Sequence, residues 1–263
     1  MKDCMNNINI LTIGDVTGTQ GCDYLRRRLP TLKKLKAVDL CIVNGENSAA
    51  GNGMTPASAE ALFCAGADLI TTGNHVYRRR EVYDFLDHSL SVVRPANVYP
   101  GNPGRGFAVA DLGSVRVGVI NLLGNAFMEG ANPFTAADEA LKELTDCRIV
   151  LVDFHAEATG EKRALGFYLD GRVSVLFGTH THVQTADEQI LPGGTGYITD
   201  LGMTGPVQSV LGVKPPIIIN KLKTGMPERF DVADGECMLN GCLFTVDRAS
   251  GRTVAVERIN IRG

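Results

Sequence analysis

Four of the five histidines in this 263-residue chain fall in short polar segments that each follow an apolar run. Those segments are Gly14-Asp15, Gly45-Glu46-Asn47, Gly73-Asn74-His75, Phe154-His155 and Gly178-Thr179-His180-Thr181-His182. Imidazole, carboxylate and amide oxygen together make a mixed nitrogen and oxygen donor set, which suits manganese, iron or zinc. The candidate ligands are Asp15, Glu46, Asn47, Asn74, His155, His180 and His182. One structural zinc takes about four ligands, so this set is too large for it. Two ions roughly 3.5–4 Å apart would use it, and such a pair clamps the attacking and leaving oxygens of a displacement at phosphorus. Glu46 is the natural bridge, because a carboxylate offers one oxygen to each ion. His88, the remaining histidine, follows Leu86-Asp87 and reads as a helix-end dipole contact.

Such residues need a scaffold that gathers them. Ile8–Ile13, Val38–Val43, Asp68–Thr72, Arg148–Phe154 and Val173–Phe177 are short apolar runs that read as buried strands. Leucines at 25, 29, 32 and 35 predict a helix over Tyr24–Lys36, with Pro30 a point of kinking or breakage. Thr55-Pro56 predicts an N-cap followed by proline at the first helical position, and Gly66 the stop. Arg80–Asp87, Ala136–Leu144 and Lys162–Leu169 read as further helices. This alternation predicts βαβ units around a mostly parallel sheet. The C-terminal strand ends of such a sheet collect along one edge, where ligands bind.

The middle and tail differ in character. Phe107–Leu112 and Val115–Ile120 flank Gly113-Ser114 as a hairpin, and Tyr197–Thr199 reads as a short strand. After Arg229, the alternating segments Cys242–Val246 and Thr253–Ile259 predict a second, antiparallel sheet or a sheet edge. No repeat or linker divides the chain, so residues 1–263 are expected to form one domain, a sheet sandwich with outer helices.

Composition excludes several classes. With 26 basic and 29 acidic residues the net charge is −3, which argues against a nucleic-acid coat or a polybasic membrane anchor. No run approaches the ~18–20 apolar residues of a membrane span. The polar start, Met1–Asn7, predicts a cytoplasmic protein. Seven cysteines without a CxxC pair argue against a disulfide framework or a thiolate zinc site. Asp153 could orient a ligand histidine or make a plain strand-end hydrogen bond. Arg26-Arg27-Arg28 and Arg78-Arg79-Arg80 read as solvated faces rather than phosphate contacts. Asp200 and Thr204 are candidates for lining a substrate pocket.

The five polar segments resemble the calcineurin-like metallophosphoesterase superfamily, whose pattern runs D-x-H, GD-x-x-D, GNH, H and G-H-x-H. Thr17 stands where that pattern has its first histidine, and Glu46-Asn47 replaces an aspartate. Those departures come with VNGENSAAGNGMT, VRPANVYPGNPGRGF, VDFHAEATGEKRALGFYLDGR and GTHTHVQTADEQILPGGTGYITDLGMTGP. The whole resembles the YmdB-like phosphodiesterases from about Ile8 to the end.

That resemblance implies an α/β protein, a four-layer α/β/β/α sandwich with two divalent ions, commonly iron or manganese. It implies phosphodiesterase activity, best known towards 2′,3′-cyclic nucleotides. One ion would take Asp15, Glu46, Asn47 and His182, the other Glu46, Asn74, His155 and His180. His75 would be catalytic rather than a ligand, donating a proton to the leaving alkoxide after metal-activated attack on phosphorus. Imidazole titrates near neutrality, which suits the role. Phosphomonoesters or short RNA are alternative substrates for the same metals. A regulatory protein whose metal centre supports partner binding is the alternative of another class. A symmetric homo-oligomer is compatible with the sequence, but no interface can be read from it.

Overall fold

A computed structural model gives the structure of residues 6–263. The chain opens with β1 (Asn7–Ile13), β2 (Asp15–Val16), α1 (Gly18–Leu35), β3 (Leu40–Asn44), α2 (Pro56–Ala65), β4 (Leu69–Thr71), α3 (Val82–His88) and β5 (Val92–Val93). It continues through β6 (Phe107–Asp111), β7 (Arg116–Leu123), α4 (Pro133–Glu143), β8 (Ile149–His155), α5 (Thr159–Leu169) and β9 (Val175–Thr179). The last third holds β10 (Gln189–Ile190), β11 (Gly196–Ile198), β12 (Met203–Pro206), α6 (Pro215–Thr224), β13 (Cys237–Asp247) and β14 (Thr253–Arg262).

Two sheets form. The first has eight strands in the order β2-β12-β13-β1-β3-β4-β5, with β14 paired to β13. The second has six, in the order β10-β11-β9-β8-β7-β6. β1, β3, β4 and β5 run parallel, as do β7, β8, β9 and β11. Apart from Asp15, which sits in the edge strand β2 just after β1, the candidate residues end or follow strands of these two parallel sets.

Side chains alternate faces along each strand, and here both faces are covered. Leu11, Ile13, Cys41 and Val43 join Leu25, Leu29 and Leu62 of α1 and α2 in one core. Ile8, Ile10, Leu40 and Ile42 meet Val117, Val119, Leu151 and Val175 of the other sheet in a second. Ile120, Leu122, Val152 and Phe154 pack with Leu144, Leu165 and Leu169 in a third. Three cores separate four layers, the expected α/β/β/α sandwich. Burial on both faces explains why these strands read as unbroken apolar runs.

Several boundaries differ from expectation. α1 begins at Gly18, six residues before Tyr24, and continues through Pro30. The tail does not build a separate sheet but meets the other expectation, a sheet edge, with β14 paired antiparallel to β13. β13 lies inside the first sheet, antiparallel to β1, with Asn7 opposite Asp247 and Ile13 opposite Gly241. α6 and the short strands β2, β5, β10 and β12 have no counterpart among the elements expected from sequence. α2 matches in full: Thr55 Oγ1 accepts from Ser58 N at 3.1 Å and Ser58 Oγ from Thr55 N at 3.0 Å. Cys22, Cys41, Cys147, Cys237 and Cys242 are buried free thiols, whereas Cys64 is exposed; Cys4 lies outside the described residues. No described helix is long and apolar enough to cross a membrane.

Candidate metal centre

The strand ends bring all the candidate donors to one place. Glu46 Oε1 lies 3.3 Å from His155 Nε2 and 3.3 Å from His75 Nδ1. His155 Nε2 is 3.0 Å from Asn74 Oδ1 and 3.1 Å from His180 Nδ1. On the other side, Asp15 Oδ1 lies 3.6 Å from His182 Nε2, and Asp15 Oδ2 accepts from His180 N at 3.2 Å. Asn47 connects the halves, its Nδ2 lying 2.9 Å from Glu46 Oε1 and 3.4 Å from His182 Nε2. Asp15, Glu46 and His155 are wholly buried.

Each imidazole is held through its outer nitrogen so that the other nitrogen faces inward. His182 Nδ1 donates to the Leu211 carbonyl at 3.0 Å, leaving Nε2 as the inward nitrogen. His180 Nε2 lies 3.0 Å from Glu157 Oε2, which leaves Nδ1 inward. His155 works through a relay. Thr179 Oγ1 donates to Asp153 Oδ1 at 2.7 Å, so it accepts from His155 Nδ1 at 2.9 Å. Orientation of a histidine through its outer nitrogen is what a metal ligand needs. Asp153 thus acts on His155 indirectly, through Thr179, and also accepts from Thr71 and Asn44.

The geometry fits a cation. Bare ring nitrogens of His155 and His180 at 3.1 Å repel unless positive charge stands between them or a proton bridges them. Asp15 Oδ1 is buried with no hydrogen-bond partner among the described residues, a costly state for an oxygen unless an ion takes it. Glu46, His155 and His180 alone form a group able to hold one metal. Gly73 keeps the space open: a Cβ there would lie 2.2 Å from Glu46 Oε2 and 2.3 Å from His155 Nε2. Asn47 needs a half-turn of its amide to offer oxygen, since its Oδ1 now lies 2.9 Å from His75 Nδ1.

Without an ion, the charges balance through protons. Burial opposes a charged His155, but Glu46, Asp15 and Asp153 together raise its pKa to about 9. Burial, and then the neighbouring His155 charge, push His180 down to about 3. Burial also opposes ionisation of Glu46, yet His155 and His75 outweigh it and hold that carboxyl well below its ordinary range. Asp15 is raised, chiefly by burial, and burial lifts Asp153 to about 6.

The loop bearing His180 and His182 is strained. Both take positive φ, 100° and 64°, in a region that non-glycine residues rarely occupy. A buried ion pair fixes it: Lys162 Nζ donates to Asp200 Oδ2 at 2.7 Å and to Thr179 O at 2.9 Å. Asp200 Oδ2 also accepts from Thr181 N, between the histidines, at 3.1 Å. Lys162 and Asp200 are both wholly buried.

A cavity of about 510 Å³ opens over Glu46, Asn47, His75, His180 and His182. Arg78 lines it while remaining exposed to solvent. Arg79 instead braces the Asn44–Gly53 loop, donating to Asn52 O at 3.0 Å. Asp200 and Thr204 do not line the cavity; both are buried beneath it. Thr17 does line it, but its hydroxyl donates to Asp15 O at 3.3 Å and contributes no donor to the cluster. Glu157, Lys162 and the Leu211 carbonyl carry no signal in the sequence that points to these roles. His88 sits away from the cluster at the end of α3, 2.8 Å from the Asp84 carbonyl. A separate cavity of about 560 Å³, beside Arg148, Arg172 and Arg252, lies by the other ends of β8 and β9 and contains none of the candidate donors.

A four-layer sandwich carrying mixed nitrogen and oxygen donors on its central strand ends defines a protein of the metallophosphoesterase type. The chain belongs to the YmdB-like protein family, which it matches over residues 11–259. It is 45% identical over 256 residues to the 2′,3′-cyclic-nucleotide 2′-phosphodiesterase of Bacillus subtilis, covering 97% of each chain. A crystal structure described as a novel phosphatase from Mycoplasma pneumoniae shares a TM-score of 0.93 and 37% identity, over 98% of this chain and 94% of that one. The NAD nucleotidase of Haemophilus influenzae shares the fold alone, with a TM-score of 0.62 at 13% identity over 97% of this chain and 55% of that one.

Proposed function

We propose that this chain is a phosphodiesterase that hydrolyses small phosphodiesters, foremost 2′,3′-cyclic nucleotides, with two divalent ions, iron or manganese. The observation that carries the reading is the convergence of inward-facing His155, His180 and His182 nitrogens on Glu46 and the partnerless Asp15 oxygen. The likeness to the Bacillus subtilis phosphodiesterase supports the substrate class. Asp15, Asn47 and His182 would hold one ion, Asn74, His155 and His180 the other, with Glu46 shared. Bound there, the ions supply neutralisation of phosphoryl charge and acidification of water.

The chain's own residues do the rest. His75 lines the cavity with its Nδ1 3.3 Å from Glu46 Oε1, the partner that would remain once the Asn47 amide turned its oxygen to an ion. That leaves Nε2 to hand a proton to the leaving ribose oxygen. The His75 backbone N–H donates to Glu46 Oε2 at 3.1 Å, so the acid and the shared carboxylate are set by one loop. Lys162 and Asp200 hold the strained histidine loop from below.

The test is hydrolysis of 2′,3′-cyclic AMP by metal-reconstituted protein, with 3′,5′-cyclic AMP and AMP as comparisons. Selective cleavage of the 2′,3′ ester is expected, and His75→Ala should lower turnover ~10²–10⁴-fold with metal content unchanged. Full turnover in that variant assigns the acid elsewhere. No cleavage of any ester with two ions bound overturns the phosphodiesterase reading.

A further inference from the structure

The donor cluster forms only the floor of its cavity. A second wall is apolar, built from Val210, Leu211, Val213, Ile218, Phe230 and Val232. A phosphoryl group on the floor makes no use of carbon surface, whereas ligand pockets pair a few polar groups with apolar walls that hold the rest of the ligand. The wall is tied to the floor, because Leu211 O accepts from His182 Nδ1 at 3.0 Å.

Its backbone is braced. Val210 and Val213 exchange N–H···O bonds of 2.9 and 3.0 Å, Lys214 N donates to Asp231 O at 3.0 Å, and Ala233 N donates to Gly212 O at 2.8 Å. Gly212, at φ 96°, presses the turn against Thr17; a Cβ there would lie 2.6 Å from Thr17 Cγ2. The small Thr17 side chain, in place of a histidine, is what lets the wall come this close to the cluster. Phe230 is the wall's aromatic ring, 40% exposed. Lys221 Nζ lies over the ring, 4.6 Å from its centroid, and the ring lines the cavity.

We infer that this wall is the nucleobase subsite of the substrate, with Phe230 the stacking ring and Leu211, Val213, Ile218 and Val232 its apolar surround. The inference rests on the phosphodiesterase reading for its ligand class. The cavity, about 510 Å³, lies within the ~300–1,000 Å³ range of small-molecule sites. Stacking tolerates every base, since each has a π-face, so recognition through this wall is by ring area.

The test is calorimetric titration of the metal-loaded full chain with adenosine 3′-monophosphate and with inorganic phosphate. Wild type should bind the nucleotide more tightly. Phe230→Ala should weaken the nucleotide about tenfold, within the roughly 5- to 150-fold range of one stacking contact, and should not weaken phosphate. Phe230→Leu, which keeps carbon surface but no ring, should fall between. Equal wild-type affinity for both ligands, equal loss of both in Phe230→Ala, or no loss at all overturns the subsite. This readout needs no turnover: a nucleotide preference that depends on Phe230 in protein that cleaves no ester would refute the reaction and leave the subsite standing.

Discussion

The floor and the wall of the cavity are built by opposite rules. On the floor, Asp15, Glu46 and His155 are fully buried, and Asn44, Asp153 and Thr179 beneath them are buried as well. On the wall side, α6 contributes no buried residue at all, and Leu222 and Met226 are 78% and 63% exposed. Metal ligands demand fixed positions, and the proposed donors are held by hydrogen bonds from residues below them. A stacking surface asks only for area near the right place. Depth of packing therefore follows the precision that each chemistry requires. It also sets local stability, since segments with few buried contacts open at the lowest free-energy cost.

The floor breaks most completely at Gly73. Gly73→Ala would put a Cβ within 2.2–2.4 Å of Glu46 Oε2 and the His155 ring. Loss of bound metal and turnover at background are the expected outcome, read by metal analysis and the 2′,3′-cyclic AMP assay; a variant with full metal content would show that the cradle can widen. Lys162→Met comes next, because it strands the Asp200 carboxylate in a fully buried site. Breaking a buried pair from one side costs about 3–5 kcal/mol, to be seen as a lower urea midpoint. Lys162→Met with Asp200→Asn should recover much of that stability. A single variant as stable as wild type would mean that water reaches Asp200.

Thr179→Val is a finer cut. It removes the hydroxyl between His155 Nδ1 and Asp153 Oδ1, at 2.9 and 2.7 Å, without touching a donor. Loss of such an orienting partner lowers metal affinity ~10–100-fold. A chelator competition on folded protein reads this directly, and unchanged affinity would show that the strand alone orients His155.

The same contrast explains what could be read in the sequence. Asp15, Glu46, Asn74, His155 and His180 each follow an apolar run, and parallel strands carry run ends to one edge. That logic is local, so the donors were legible. The Lys162–Asp200 pair was not: Asp200 reads as a pocket-lining candidate and Lys162 as an ordinary charge, with 38 residues between them. Leu211 acts through a carbonyl, which carries no residue signature. The tail strands were visible as alternation, but their partner was not: β13 pairs with β1 across more than two hundred residues. Gly18 and Gly21 weaken the helical signal in the first turn of α1, so the leucine spacing marks only its later part. The contiguous apolar run and two prolines of α6, Pro215-Pro216-Ile217-Ile218-Ile219, gave no helical period, although proline is at home in a first turn.

The smallest effect belongs to the wall helix. Leu222→Glu replaces a side chain that is 78% exposed. Surface substitutions away from caps and networks usually stay within about 0.5 kcal/mol, so the urea midpoint and the metal content should match wild type. Leu222 is also absent from the cavity lining, so the nucleotide-to-phosphate affinity ratio should hold, unlike that of Phe230→Ala. A stability loss above about 1 kcal/mol would mean that α6 is packed against something in solution, such as a second copy of the chain. Sedimentation of the two proteins would separate that case, because a Leu222 contact between copies would appear as a dimer in wild type and a monomer in the variant. The wall would then owe its shape to assembly, and the contrast with the self-supporting floor would be sharper.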